Sequence, residues 1–291
     1  MKLYKYMRAI EYDKDGNYII SPKLLNALIG SKIFFSHPAN FNDPLECIVP
    51  IKIDDYEKNG SAYLEFVKEY LKKYLKEDDS SNRMKRINEA INFGLPLENC
   101  IISCLSTKEN NALMWSHYAD QYKGICLCYE LPDSIKELEN KVSWSRDVQD
   151  LEESGLELWT CDVKYSKKRP QLEIENTNLP VEQWKFKNNY KMDNAIFIKP
   201  ECWSYEQEWR IALILPLNCG RAFSPEIETK NYYMIIPREW LKQITFGFRL
   251  DDQHCQKITE ILKENGYENV SINTIQLSHD TFELSTVLYK S

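Results

Sequence analysis

Short apolar runs separated by turn-forming residues recur along most of the chain, a pattern that predicts β-strands. The run at 101–105 is apolar, and the run at 124–131 is bounded by glycine and proline. The predicted strands together form the core of an extensive sheet and cover residues 3–6, 32–36, 101–105, 124–131, 161–165, 206–215, 232–236, 244–248, 270–277 and 282–289.

Apolar residues at helical spacing predict helices between several of these strands. Ser21 is expected to cap a helix that begins at Pro22 and ends at Gly30. Residues 54–92 predict two amphipathic helices, within a helical insertion at about 54–98. The order of elements predicts one α+β domain over residues 1–291, with a mixed or antiparallel sheet and flanking helices. Further helices are predicted over 110–118, 135–158, 184–197 and 251–265.

The composition, 43% hydrophobic and 28% charged, is that of a globular protein. No apolar run approaches the roughly 18 residues that span a bilayer, and the first residues lack the apolar stretch of a signal peptide. The nine cysteines are scattered and odd in number, so we expect reduced thiols in a cytoplasmic protein. Neither close cysteine pair has the CxxC spacing of a zinc site, and no metal site is predicted.

The charge balance is acidic, with 37 Lys and Arg against 44 Asp and Glu and a net charge of −7. This balance argues against non-specific binding to bulk nucleic acid. A local basic cluster occupies residues 164–169, and Lys185 and Lys187 lie beside two aromatic residues. In an acidic chain such a cluster is more often a solvated loop than a phosphate-binding surface, so a loop is predicted.

Two segments contain polar residues that core packing does not explain. The loop 41–46 carries two carboxylates and an amide, and a turn held by Asx hydrogen bonds is an equally good interpretation. In the segment 103–120, a helix beginning near Asn110 would place His117 and Asp120 on one side, within reach of a hydrogen bond. The alternative role of His117 is structural.

A third such segment, 203–210, runs directly into an apolar strand. If this segment is extended, Glu206, Glu208 and Arg210 share one face. Two neighbouring carboxylates raise the proton affinity of at least one of them unless a cation compensates. Such a pair suits acid/base chemistry or the stabilisation of a positively charged intermediate. The alternative interpretation is an exposed strand edge with an internal Glu–Arg ion pair.

Four motifs follow one another in the chain: Leu3-Tyr4-Lys5-Tyr6, then 35–38 with 41–44, then 113–120 with 123–124, and finally 203–210. In their order and their residues they resemble the motifs of the bacterial family known as domain of unknown function 2971. The resemblance extends over most of the chain and implies membership of that family. Membership alone implies no activity.

A second, weaker resemblance does imply an activity. Arginine-type ADP-ribosyltransferases bind NAD with a first-strand Arg, a Ser-Thr-Ser strand and a Glu-x-Glu turn. The corresponding positions in this chain are Lys5 or Arg8, residues 103–107 and residues 206–208, which occur in the same order. The resemblance implies that Glu208 holds the nicotinamide ribose and stabilises the oxocarbenium cation. It implies that Glu206 orients or deprotonates the acceptor.

This sequence departs from that family at two places. The serine strand reads Ser103-Cys104-Leu105-Ser106-Thr107, so either serine is a candidate to support the glutamate, and a lysine offers a point charge where the family has a bidentate Arg. The candidate catalytic residues are Glu208, Glu206, Ser103, Ser106 and His117. The candidate NAD-binding residues are Tyr4, Lys5, Tyr6, Arg8, Asn42, Asp43, Trp115, Tyr118 and Arg210.

The sequence leaves three functions open. The first is an ADP-ribosyltransferase that consumes NAD, as a bacterial toxin or phage-defence effector with a protein or nucleic-acid acceptor. The second is an acid/base hydrolase or nuclease, with or without a divalent metal, that uses Asp43, Glu46, His117 and Glu206. The third is a non-catalytic recognition module whose 18 Tyr, 7 Trp and 11 Phe line a pocket or interface. No membrane partner is predicted.

Overall fold

An eight-stranded sheet forms the centre of the computed structural model. The structure describes residues 1–52, 61–65, 68, 95–97, 99–175, 180, 185–186, 193–216, 223–224 and 231–290. Five smaller sheets of two or three strands surround the central sheet within these residues.

The strands have the following bounds. They are β1 Lys2–Met7, β2 Ile10–Tyr12, β3 Tyr18–Ile20, β4 Lys32–Phe34, β5 Ile48–Val49, β6 Ile51–Lys52, β7 Leu95–Pro96, β8 Cys100–Ser106, β9 Ile125–Glu130, β10 Ser143–Trp144, β11 Glu157–Asp162, β12 Lys164–Ser166, β13 Leu172–Glu175, β14 Lys185–Phe186, β15 Ile198–Pro200, β16 Glu208–Ile214, β17 Tyr233–Ile235, β18 Leu241–Phe246, β19 Ser271–Leu277 and β20 Leu284–Leu288.

Helices flank the sheet, and residues 61–65 are also helical. In the described part of the chain, no helix is both long and apolar enough to cross a membrane. The α-helices are Pro22–Ile29, Ala112–Tyr118, Ile135–Lys141, Arg146–Glu152, Asp193–Ile196 and Asp252–Glu264, and the 3-10 helices are Pro38–Asn40, Glu201–Glu206 and Arg238–Trp240.

The central sheet has the strand order β11-β16-β8-β1-β9-β18-β19-β20. Neighbouring strands are antiparallel except β18 and β19, which are parallel and are connected through the helix Asp252–Glu264. Strand β1 pairs with β9 from Lys2 to Met7, but it pairs with β8 only where Tyr4 faces Ser106. Strands β1 and β8 therefore share one paired position, next to the residues that line the cavity described below.

Different residues are buried on the two faces of this sheet, because successive side chains of a strand point to opposite faces. On one face, Ile101 and Leu105 of β8 pack in the main core with the helices Pro22–Ile29 and Asp252–Glu264. On the other face, Ile102 of β8 packs in a smaller cluster that also contains Cys47, Phe197 and Ala212. Cys104 and Ser106 alternate with Leu105 and so share this second face.

The predicted fold class is confirmed, since the structure combines a large mixed sheet with flanking helices in an α+β arrangement. The predicted strands at 101–105 and 124–131 are β8 and β9, and the predicted helix at 251–265 is Asp252–Glu264. The helix predicted over 110–118 begins at Ala112 because the Asn111 side chain accepts the backbone N–H groups of the first turn.

Some local predictions were wrong. Ser21 precedes the helix as expected, but its hydroxyl donates to the Glu11 carboxylate at 2.6 Å instead of capping the helix. The helical stretch predicted over 135–158 is interrupted by β10 and ends before β11. Within 184–197, the described residues form β14 and the short helix Asp193–Ile196. Most of the predicted insertion at 54–98 lies outside the described residues.

Candidate functional site

A cavity of about 250 Å³ lies on the sheet face that carries Cys104 and Ser106. Strands β1 and β8 form its floor, the loop 40–46 and the 3-10 helix Glu201–Glu206 form its walls, and the helix Ala112–Tyr118 closes one side. The predicted site residues that line it are Tyr4, Lys5, Tyr6, Asn42, Asp43, Ser106, Tyr118, Glu206 and Glu208.

A buried cluster of ion pairs lies at one end of this cavity, and Arg210 is its most deeply buried member. The Arg210 side chain is 0% exposed, and its Nε donates to Glu208 Oε1 at 2.8 Å. Its Nη2 donates to Glu208 Oε2 at 3.1 Å and to Glu46 Oε2 at 2.5 Å. The predicted Glu–Arg pair therefore exists, with both Glu208 oxygens on one guanidinium as in the strong bidentate geometry.

Lys199 of β15 connects all three carboxylates of the cluster. Its Nζ lies 2.6 Å from Glu206 Oε2, 2.8 Å from Glu46 Oε1 and 3.2 Å from Glu208 Oε2. Sequence reasoning did not find Lys199, although a lysine between apolar residues at 196–198 and a proline is a signal of a buried, paired cation. Three carboxylates thus face two cations, and one negative charge is in excess.

The two glutamates of the Glu-x-Glu segment have opposite pKa shifts. Burial raises the pKa of Glu206, and the attraction of Lys199 offsets this only in part. Burial acts in the same direction on Glu208, but Arg210 and Lys199 outweigh it and hold the pKa of Glu208 at about 2. Burial would lower the pKa of Lys199, but its three carboxylate partners raise it above the ordinary value. Glu208 is therefore an ionised group, and Glu206 accepts a proton more readily.

Besides Lys199, groups from two further elements hold Glu206. Tyr118 donates its hydroxyl to Glu206 Oε1 at 2.6 Å, and Ser106 Oγ donates to the Glu206 carbonyl at 2.7 Å. The prediction that 206–210 is continuously extended was wrong, because Glu206 ends a 3-10 helix and Gln207 has a φ of 43°. Glu206 and Glu208 nevertheless both line the cavity.

Strand β16 is not the exposed edge that the alternative interpretation required. It lies between β11 and β8 in the central sheet. Glu206, Glu208 and Arg210 are all buried there. Because buried charges are unfavourable unless paired, this arrangement needs the cations of the cluster to be stable.

The structure distinguishes the two candidate serines. Ser106 lies directly opposite Glu208 in the β8–β16 register and lines the cavity. Ser103 lies opposite Ile211, on the other face of the sheet, and its buried hydroxyl has no hydrogen-bond partner among the described residues. The position of Ser103, on the face away from the glutamates, does not support its predicted catalytic role.

The two candidate first-strand cations, Lys5 and Arg8, also lie in different places. Lys5 lines the cavity, where its Nζ donates to the Cys104 carbonyl at 2.7 Å, and burial lowers its pKa. The Arg8 side chain is 61% exposed and lies 3.9 Å from Asp120. Arg8 is not among the residues that line the cavity, so its predicted role is not supported by its position.

His117, Asp120 and Trp115 lie on or next to the helix Ala112–Tyr118, and none of them lines the cavity. His117 is exposed and contacts the Tyr205 ring at a centroid distance of 6.1 Å, outside the cavity. Asp120 does not continue the helix, since its φ is 48°, and its side chain faces Arg8 instead of His117. Trp115 is fully buried against Tyr6 and supports the cavity without lining it.

The described residues contain no group of three or more His, Cys, Asp or Glu side chains arranged to hold a metal ion. Residues 114–211 match a family described as a protein of unknown function (DUF2971). The motifs predicted this same family, and the matched segment contains Tyr118, Lys199, Glu206, Glu208 and Arg210. Neither the curated proteins nor the solved structures gave a match to this chain.

Proposed function

We propose that this chain is an NAD-dependent ADP-ribosyltransferase whose active site is the cavity beside Glu206 and Glu208. The observation that supports the proposal most is a row of residues across three adjacent strands. Glu208 of β16 lies opposite Ser106 of β8, which in turn lies opposite Tyr4 of β1, with Lys5 beside it. The three segments of the transferase resemblance thus face one cavity.

The charge of the cluster suits the substrate of this reaction. The nicotinamide ring of NAD is positively charged, and the ribose becomes an oxocarbenium-like cation as the ring leaves. The excess carboxylate of the Glu46, Glu206 and Glu208 cluster, whose side chains are buried, stabilises positive charge beside it. Fixed carboxylates beside an oxocarbenium-like transition state serve the same purpose in glycoside hydrolysis.

Each glutamate has a separate role in the proposed reaction. Glu208, held as a carboxylate by Arg210 and Lys199, lies beside the ribose C1′ as the bond to nicotinamide breaks and nicotinamide leaves with the electron pair. The nucleophile of the acceptor bonds to C1′ and gives its proton to Glu206, whose raised pKa suits a general base. Tyr118 keeps the Glu206 carboxyl oriented.

The size of the cavity limits what it holds. Small-molecule sites are usually about 300–1,000 Å³, and this cavity of about 250 Å³ is slightly smaller. It fits the nicotinamide ring and its ribose, and the rest of the dinucleotide would extend over the rim. Lys5, on the floor, faces the part of the substrate that enters the cavity.

An acid/base hydrolase is the second candidate, and the Glu206–Tyr118 pair favours it. A carboxyl with a raised pKa, hydrogen-bonded to a tyrosine and open to a cavity, can protonate a leaving group. In this version Glu46 and Asp43 remain at the site as the sequence predicted. His117 takes no part because it lies outside the cavity.

Isothermal titration calorimetry with NAD tests the proposal. The wild-type protein should bind NAD, and Glu206→Gln and Glu208→Gln should weaken binding roughly tenfold to a hundredfold, as expected for the loss of a hydrogen bond to a charged group. Glu137→Gln, in an exposed pair with Lys141, is the matched control and should bind like the wild type. Circular dichroism should show that the variants are folded. No heat with millimolar NAD would contradict the transferase and favour the hydrolase.

A further inference from the structure

Aromatic side chains form a row that leads from the cavity to the surface. Trp203 lines the cavity, its ring lies 6.0 Å from the ring of Tyr205, and the Tyr205 ring lies 6.1 Å from that of His117. Trp203 and Tyr205 are partly exposed and His117 is exposed. The row therefore places three aromatic rings between the cavity and the surface, and Lys199 Nζ lies over the Trp203 ring, 5.1 Å from its centroid.

The basic cluster lies next to this row. Strand β12 pairs with β15, which runs directly into the 3-10 helix that carries Trp203 and Tyr205. Lys167, just beyond β12, has a side chain that is 82% exposed and lies 3.5 Å from Glu201 of that 3-10 helix. Lys168 follows it and is also exposed.

Arg169 connects the basic cluster to the wall of the cavity. Its Nη2 donates to the Ile48 carbonyl at 3.0 Å, which places it beside the loop 40–46. Burial lowers the pKa of Arg169, and the neighbouring carboxylate of Asp43 opposes that shift. Asp43 in turn accepts the indole N–H of Trp203 at 3.0 Å. The basic cluster, the rim of the cavity and the aromatic row therefore form one continuous surface.

We infer that the acceptor of the proposed transferase is a single-stranded nucleic acid bound on this surface, an inference that rests on the proposed function. Proteins that bind single strands combine cations along the backbone with aromatic rings on which successive bases stack. Here Lys167, Lys168 and Arg169 contact phosphates, and Trp203, Tyr205 and His117 receive bases. The acidic charge of the whole chain excludes non-specific coating but permits a local surface of this kind.

This arrangement brings one nucleotide of the strand to the cavity. A hydroxyl or base nitrogen of that nucleotide is the nucleophile that bonds to the ribose C1′. Its proton passes to Glu206, and nicotinamide leaves with the electrons of the broken bond. A single strand suits this step because its bases are already unpaired, so that no duplex has to be opened.

Fluorescence anisotropy with labelled 20-nucleotide single strands of DNA and RNA tests the surface. The full-length wild type should bind at low salt and lose affinity as salt rises. The double variant Lys167→Glu and Lys168→Glu should weaken binding at least tenfold, and Tyr205→Ala at least about fivefold, the lower limit for losing one stacked base. The control double variant Lys257→Glu and Lys263→Glu, exposed on the helix Asp252–Glu264, should bind within twofold of the wild type.

Mass spectrometry of the oligonucleotide after incubation with NAD then tests the acceptor role. An added ADP-ribosyl group on the strand supports the inference. Binding that is absent at low salt, equal for duplex and single strand, or equally weakened by the control variant would overturn it. So would modification of proteins in place of the strand. NAD binding, and release of nicotinamide to water in the absence of the strand, do not require this surface, so they report separately on the proposed function.

Discussion

Ser103 and Ser106 occupy one strand, three positions apart, and have opposite environments. Ser106 donates to the Glu206 carbonyl and faces Glu208, whereas the Ser103 hydroxyl is buried on the other face without a partner among the described residues. A buried hydroxyl without a partner destabilises the fold by its desolvation cost, about 1–3 kcal/mol. The sequence could not distinguish the two serines, because the register between β8 and β16 is a tertiary property.

Ser103→Ala and Ser106→Ala are therefore expected to have different effects. Ser103→Ala should be neutral or should raise the free energy of unfolding by up to about 1 kcal/mol, because it removes an unpaired polar group. Ser106→Ala should lower the free energy of unfolding by about 1 kcal/mol and lower turnover, because it releases the turn that holds Glu206. Urea denaturation measures the first effect, and a loss of stability in Ser103→Ala would contradict the assignment.

The pKa of Glu208 predicts how stability depends on pH. Its folded-state pKa of about 2 is below the unfolded value of about 4.3, so its stabilising contribution is present above pH 4.3 and is lost as the pH falls toward 2. Glu208→Gln should be less stable than the wild type at pH 7. The difference should shrink between pH 4.5 and pH 2, where the wild-type carboxylate takes up its proton.

Denaturation curves of both proteins across this pH range measure that difference. Glu137→Gln is the control, because Glu137 forms an exposed pair with Lys141, and such pairs contribute at most about 1 kcal/mol. A stability difference between wild type and Glu208→Gln that stays constant with pH would show that Arg210 and Lys199 do not hold the carboxylate.

At the scale of elements, the turn between the helix Ala112–Tyr118 and β9 positions one side of the cavity. Asp120, Gln121 and Tyr122 have φ values of 48°, 54° and 68°, a left-handed run that only close packing maintains. Gly247 provides that packing. A Cβ at Gly247 would lie 2.1 Å from the Tyr122 carbonyl oxygen.

Gly247→Ala should therefore destabilise the protein by about 1–3 kcal/mol and displace Tyr118 from Glu206, since the backbone of the turn must move. Gly16→Ala is a matched control: Gly16 has a φ of 82°, but nothing lies within 4 Å of an added Cβ. Gly16→Ala should lower the free energy of unfolding only by the cost of placing an alanine at a positive φ, about 1–2 kcal/mol. Thermal unfolding measures the loss of stability, and titration with NAD measures the effect on the cavity. Unchanged NAD binding in Gly247→Ala would contradict the role of the turn.

The elements that apolar patterning defines well are the ones that the sequence predicted. β8, β9 and the helix Asp252–Glu264 follow clear apolar patterns and lie close to the predicted positions. The hairpin of β2 and β3 was missed because each strand has only three residues. The stretch 135–158 was read as helix because glutamate-rich sequence favours it, but pairing of β10 with β17 overrides that local preference.

At the scale of the whole molecule, the site depends on strand order. Segments separated by about a hundred residues become neighbours because β16, β8 and β1 are adjacent in one sheet. The sequence indicated Glu206, Glu208 and Arg210 through their spacing, and it suggested Glu46 through its loop. It gave no reason to connect Lys199 with them, because that contact depends on how β15 packs beside the cluster.

Release of free nicotinamide from NAD tests the central claim most directly. Wild-type protein and Glu208→Gln, at equal folded concentration, are incubated with NAD, both with and without single-stranded oligonucleotide, and nicotinamide is followed by mass spectrometry. The wild type should release nicotinamide, and the variant should do so at least about a hundredfold more slowly, because it lacks the carboxylate that stabilises the developing cation. No release by the wild type, or equal release by both proteins, would contradict an active site at Glu208.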